Sequence, residues 1–117
     1  MTTSVPFSLK LPPPEAFTEL PGMRGLRIAR VGQADGKTLE VIDGVKGVVI
    51  PHMQSPGGEK GRVLEGKIQF TQDGTSRVLS AGDTWEVGPM TPQGPHIFLA
   101  PSRVVILREG KSAFDPQ

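Results

Sequence analysis

Gly47-Val48-Val49-Ile50-Pro51-His52-Met53-Gln54-Ser55-Pro56-Gly57-Gly58-Glu59 is the stretch on which the reading of this chain turns. A β-strand sends alternate side chains to opposite faces. In a strand over Val45 to His52, the residues Val48, Ile50, His52 and Gln54 share one face, so a histidine and a glutamine continue an inward apolar row. Val49, Pro51 and Met53 form the other face and are also largely apolar. In so small a protein, a strand that is apolar on both faces has its outer face covered too. A second subunit would cover it, which predicts a homodimer; the other cover available is the arm at residues 1–20.

Around that strand, short apolar segments alternate with turn signals. Leu26 to Val31 and Thr38 to Ile42 precede it, and Arg62 to Gln72 follows with Gly66 as a bulge. Arg77 to Ser80, Thr84 to Val87, His96 to Ala100 and Arg103 to Arg108 complete the series. Asp35-Gly36, Asp43-Gly44 and Asp73-Gly74 are read as tight hairpin turns, because Asp-Gly supplies the two positive-φ positions of a type I′ turn. Val104 to Leu107 are consecutive apolar residues, which predicts a strand buried on both faces. No stretch supports a long amphipathic helix. The fold class expected is all-β, with residues 1–24 an N-terminal arm containing one helical turn over Glu15 to Leu20. Residues 25–110 form a barrel and residues 111–117 a polar tail.

Composition narrows the function. The 117 residues suit one domain with one core. A formal net charge of +1 and a low aromatic content, without tyrosine, argue against nucleic acid as a partner. No apolar run approaches the ~20 residues needed to cross a bilayer, and the proline-broken N-terminus lacks a signal-peptide core. The absence of cysteine fits a reducing compartment. A cytoplasmic protein that works without a membrane partner is expected. Gly57-Gly58-Glu59-Lys60-Gly61 lacks the spacing of a phosphate loop, and no motif supports covalent catalysis.

The chain has two histidines, His52 and His96, with Gln54 and Glu59 between them. Neutral imidazole and carboxylate suit Mn, Fe, Ni, Cu or Zn, and two imidazoles with one carboxylate leave coordination positions open. If a base operates, Glu59 or His96 is the candidate. Phe70, Trp85, Met90 and Phe98 are core or the wall of a substrate pocket. Arg62 and Arg108 are read as solvated surface charge, with a bidentate contact to a substrate carboxylate as the other reading.

At these residues the sequence resembles the cupin family. Its first motif, G-x5-H-x-H-x3,4-E-x6-G, matches from His52 through Gln54 and Glu59 to Gly66, with Gln54 in place of the second histidine and Gly47 one residue too close to His52. Its second motif, G-x5-P-x-G-x2-H-x3-N, is met by Gly82-Asp83 and by Pro92-Gln93-Gly94-Pro95-His96, in a longer loop and with Ala100 where Asn is usual. The resemblance covers about residues 47–100. It implies a double-stranded β-helix, or jelly-roll barrel, that is often dimeric. By position it implies that His52, Gln54, Glu59 and His96 hold one divalent transition metal (Mn, Fe, Ni, Cu or Zn).

Fold does not choose the reaction. The first expectation is a metal-dependent small-molecule enzyme, a lyase, isomerase or dioxygenase acting on an oxygenated organic acid or a sugar derivative. The second is a non-catalytic module that binds a sugar or organic acid.

Overall fold

In the computed structural model, residues 11–34 and 36–109 are described; Asp35, the first ten residues and the tail from Gly110 lie outside that range. Among the described residues the strands are β1 (Thr18–Glu19), β2 (Leu26–Ala34), β3 (Lys37–Gly44), β4 (Val49–Ile50), β5 (Glu59–Glu65), β6 (Lys67–Gln72), β7 (Thr75–Ser80), β8 (Thr84–Val87), β9 (His96–Phe98) and β10 (Ser102–Glu109). They form two antiparallel sheets, ordered β1-β2-β3-β10-β5-β8 and β4-β9-β6-β7. The two sheets face each other as a double-sheet jelly roll, so the all-β barrel expected from the sequence is what the chain forms.

The barrel core is the inward row of each strand. Leu26 and Ile28 of β2, Ile42 of β3, Val63 of β5, Trp85 and Val87 of β8, and Val104 and Ile106 of β10 meet Ile50, Ile68, Phe70 and Phe98 of the second sheet. The opposite parity of the larger sheet carries a smaller outer cluster of Phe17, Ala29, Val41 and Val105. β10 is therefore buried on both faces, as its unbroken apolar run predicts. Phe17 reaches the outer cluster because β1 pairs with β2, Thr18 opposite Ile28. The arm's helical turn is a short 3-10 turn at Pro14–Ala16 rather than a turn over residues 15–20.

Three local expectations are corrected. Asp73-Gly74 is a two-residue hairpin with both residues at positive φ, but Asp43-Gly44 is not, since β3 continues through Gly44. A side chain at Gly44 would collide with the Phe98 ring, so that glycine serves close packing instead of a turn. The strand expected over Arg62 to Gln72 is two strands in different sheets. Gly66, at φ +88, turns the corner against Pro101 and Ser102, where a Cβ has no room. The strand expected over Val45 to His52 shrinks to Val49–Ile50.

The reason for that last shortening positions the site. β4 pairs with β9 through Val49↔Ile97 and Ile50↔His96, and the same register returns at the isolated pair Met53↔Gln93. Continuing the register sets Pro51 opposite Pro95. Neither has an N–H, so neither can donate to the ladder. The strand opens there and the alternation resets: Ile50 points inward, His52 is exposed, and Met53 lines the interior.

Candidate functional site

The barrel interior contains a cavity with room for water-sized occupants of about 20 Å³, which is about one water molecule. Ile42, Ile68, Phe98 and Ile106 make its apolar side, and Glu59, Gln93, His96 and Arg108 its polar end. Phe70 stacks on the His96 ring at 4.2 Å between centroids and lies 4.9 Å from Trp85.

Arg108 is the centre of the polar end. It shares an inward row with Val104 and Ile106 on β10 and is 1% exposed. Glu59 on β5 is its ladder partner. The Arg108 Nη1 donates to Glu59 Oε1 and, at 2.7 Å, to Ser55 Oγ; its Nε donates to Glu40 Oε1 at 2.8 Å. Glu59 Oε1 also accepts from Ser55 Oγ at 2.6 Å and from Gln93 Nε2 at 3.0 Å, and Oε2 accepts from Trp85 Nε1 at 2.8 Å. Burial alone would raise the Glu59 pKa. The Arg108 charge, helped by the hydrogen bonds from Ser55, Trp85 and Gln93, outweighs it and holds the carboxyl below its ordinary range.

Gln93 carries the network on to His96. Its Oε1 lies 2.9 Å from His96 Nε2, while the Thr71 N–H donates to His96 Nδ1 at 3.2 Å. An Nδ1 that accepts a backbone N–H leaves the ring proton on Nε2, so His96 donates to Gln93 and Gln93 donates to Glu59. Burial pushes the His96 pKa down to about 4, with Arg108 and His52 adding to the fall and Glu59 opposing it. At neutral pH the imidazole is uncharged and both nitrogens are engaged.

The structure thus brings Glu59 and His96 together, bridged by Gln93, and leaves the other two expected metal ligands elsewhere. His52 and Gln54 are solvent-exposed, because the alternation reset at Pro51 turns them away from the inward row that the sequence pattern gave them. Phe70, Trp85 and Phe98 belong to the barrel core and line the cavity. Met90 does not: it is 54% exposed, at φ +56, in the loop after β8. Arg108, read from the sequence as surface charge, is among the most buried side chains in the protein. Its parity with Val104 and Ile106 was the signal that would have placed it inside.

The reset also shifts the motif by one residue. Gly47-x5-Met53-x-Ser55-x3-Glu59-x6-Gly66 satisfies every spacing of the first motif, including the leading glycine that lay one residue too close to His52. Met53 and Ser55 then stand where the motif has its two histidines. The donor set does not fit a divalent transition metal. It offers a thioether and a hydroxyl in place of two imidazoles, a carboxylate already bound by a guanidinium, and an imidazole with no free lone pair. Among the described residues no group of three or more His, Asp or Glu side chains gathers as a metal cage would.

No family model matches this sequence, and no curated protein does. Solved structures do. KdgF from Halomonas sp. is 21% identical with a TM-score of 0.73, covering 82% of this chain and 88% of that one. An RmlC-like cupin from Shewanella frigidimarina is 21% identical with a TM-score of 0.75, covering 85% and 87%. Salicylate 1,2-dioxygenase from Pseudoaminobacter salicylatoxidans, solved as adducts with gentisate, is 15% identical with a TM-score of 0.68, covering 74% of this chain and 25% of that one. At such identities the likeness is one of fold.

Proposed function

We propose that this chain, whose fold is the cupin fold, is a small-ligand-binding barrel rather than a metal-dependent enzyme, and that its ligand is a neutral hydroxylated molecule such as a sugar or polyol. One observation carries the reading: the apolar cavity ends on a carboxylate, Glu59, that is held ionised. An ionised carboxylate only accepts hydrogen bonds. Oε1 already takes Arg108, Ser55 and Gln93, whereas Oε2 takes Trp85 alone, so Oε2 is the position that favours a ligand donating O–H or N–H. The Arg108 guanidinium there is already shared by Glu40 and Glu59, which makes it a poor partner for an anionic ligand.

The same geometry argues against acid–base catalysis. A general acid or base works best with a pKa near the working pH and a free position facing the substrate. Burial pushes the His96 pKa down to about 4, and the ring spends both nitrogens on Thr71 and Gln93. Because the cavity holds about one water, a larger ligand has to displace a wall. Met53 is the wall suited to yield: it is half-buried, lines the cavity, and is unbranched and flexible.

Calorimetric titration of chelator-treated protein with monosaccharides, polyols and matched carboxylates tests the proposal, with Trp85 emission as a second readout. Saturable binding of a neutral member, weakened at least about tenfold by Glu59→Gln, is expected. Binding or turnover that requires an added divalent metal overturns it.

The homodimer is also a proposal. It is supported by the outer cluster on the larger sheet, where Val31, Leu39, Leu64 and Leu107 remain half-buried around the patch that Phe17 covers. Light scattering at micromolar concentration distinguishes a dimer from a chain capped by its own arm.

A further inference from the structure

The interior of this barrel is built around a fixed positive charge. In the shifted reading of the first motif, the residues at the ligand positions are Met53, Ser55 and Glu59, and the last two are bonded to the guanidinium. Ser55 is fully buried and accepts from Arg108 Nη1 while donating to Glu59. Glu59 takes Arg108, Ser55 and Gln93 on one oxygen and Trp85 on the other. Met53 lines the same cavity as Arg108. The position of Arg108 is fixed independently by Glu40 on β3, through Nε.

We propose that Arg108 is the resident cation of this barrel. The guanidinium neutralises Glu59 from within the chain and, by its charge, keeps a divalent metal off that carboxylate. A side chain that arrives with its own strand needs no metal supply. A buried carboxylate without a partner charge would instead take up a proton or recruit a cation. A divalent ion at Glu59 would sit beside a buried guanidinium, and like charges at that range in a poorly solvated site repel strongly. Arg108 therefore accounts both for the ionised Glu59 and for the tolerance of Met53 and Ser55 at positions where a metal would demand imidazole. This goes beyond the ligand-binding reading and does not rest on it, since it is tested by metal content and not by ligand.

The experiment compares metal binding by four proteins: the natural chain, Arg108→Ala, Met53→His/Ser55→His, and the triple variant Met53→His/Ser55→His/Arg108→Ala. Each is stripped with chelator, titrated calorimetrically with Mn²⁺, Ni²⁺ and Zn²⁺, and then assayed for bound metal. The natural chain is expected to hold no metal that depends on Glu59. The triple variant is expected to take one equivalent, at least about a hundredfold more tightly than the double variant that keeps Arg108. Equal affinity of the double and triple variants overturns the proposal, because the guanidinium would then exclude nothing. So does stoichiometric metal on the natural chain that is lost in Glu59→Gln. Should the triple variant fail to fold, the melting temperature of the natural chain decides: no change between chelator and Zn²⁺ is expected, and a metal-dependent rise abolished by Glu59→Gln overturns the assignment.

Discussion

Arg108 and Glu59 face each other directly across the β10–β5 ladder, and both side chains are buried, so a strand register sets the ion pair at the polar end of the barrel. Removing one partner of such a pair strands the other in the interior, which costs about 3–5 kcal/mol. Arg108→Ala is expected to lose that much stability in urea denaturation, since it leaves both Glu59 and Glu40 without the guanidinium. Glu59→Gln/Arg108→Met is expected to cost less than the sum of its single substitutions. A strictly additive cycle would show that the two groups are not coupled.

Acid should unfold this protein early, and the sign follows from the two shifted groups. Between its ordinary value near 6.5 and about 4, His96 is protonated in the unfolded chain and neutral in the folded one. Glu59 acts in the same sense at lower pH, because its folded carboxyl ionises below its ordinary value of 4.5. The unfolded state binds more protons in both ranges, so stability is fully present above about pH 6.5 and falls as the pH drops toward 4 and below. The His96 contribution is up to about 3 kcal/mol. Urea midpoints from pH 4 to 8 should show this slope, and His96→Gln should flatten its upper part. A stability that rises on acidification from pH 6.5 to 4 would contradict the assignment.

Gly61 stands opposite Trp85 in the β5–β8 register, and a Cβ there would run into the indole. Gly61→Ala is expected to displace the ring that donates to Glu59, costing about 1–3 kcal/mol. Trp85 is the one tryptophan of the chain, so its emission reports the displacement directly. An unchanged emission spectrum would mean that the ring is not held by this contact.

The strands and their inward rows were largely legible, because alternation and glycine-marked turns are local signals. Parity marks Thr84 to Val87, and an unbroken apolar run marks the doubly buried β10. The site was legible in part. Glu59 and His96 stand out as candidates in the sequence, and both are interior. Parity extended through Pro51 puts His52 and Gln54 inside, but the ladder lacks a donor there and the alternation resets by one residue. A one-residue slip exchanges the faces of a strand, so a pattern that turns His52 inward hides Met53 and Ser55. The leading glycine of the motif, one residue out of place, was the visible sign of the slip. Arg108 is hidden for a different reason: a charged residue at the end of an apolar row reads as surface unless its partner, 49 positions away, is known.

The proton on His96 offers the most local check of the network. The Thr71 N–H points at Nδ1, and a backbone amide cannot reverse its role, so Nδ1 has to be the acceptor. That fixes the Nε2–H tautomer, the orientation of the Gln93 amide and the donation from Gln93 to Glu59. Nitrogen chemical shifts of His96 should show a single Nε2–H species, unchanged from pH 6 to pH 8 because its pKa is pushed down to about 4. The Thr71 amide should be protected from exchange over the same range. Replacing Gln93 with Leu removes the acceptor for Nε2–H and one donor to Glu59, leaving buried polar groups unpaired at about 1–3 kcal/mol each. Gln93→Glu instead sets a second carboxylate against Glu59, and the His96 pKa is expected to rise as the imidazolium gains an anionic partner. An Nδ1–H tautomer in the natural protein, or a His96 that titrates near 6.5, would break the chain from Thr71 to Glu59 at its first link.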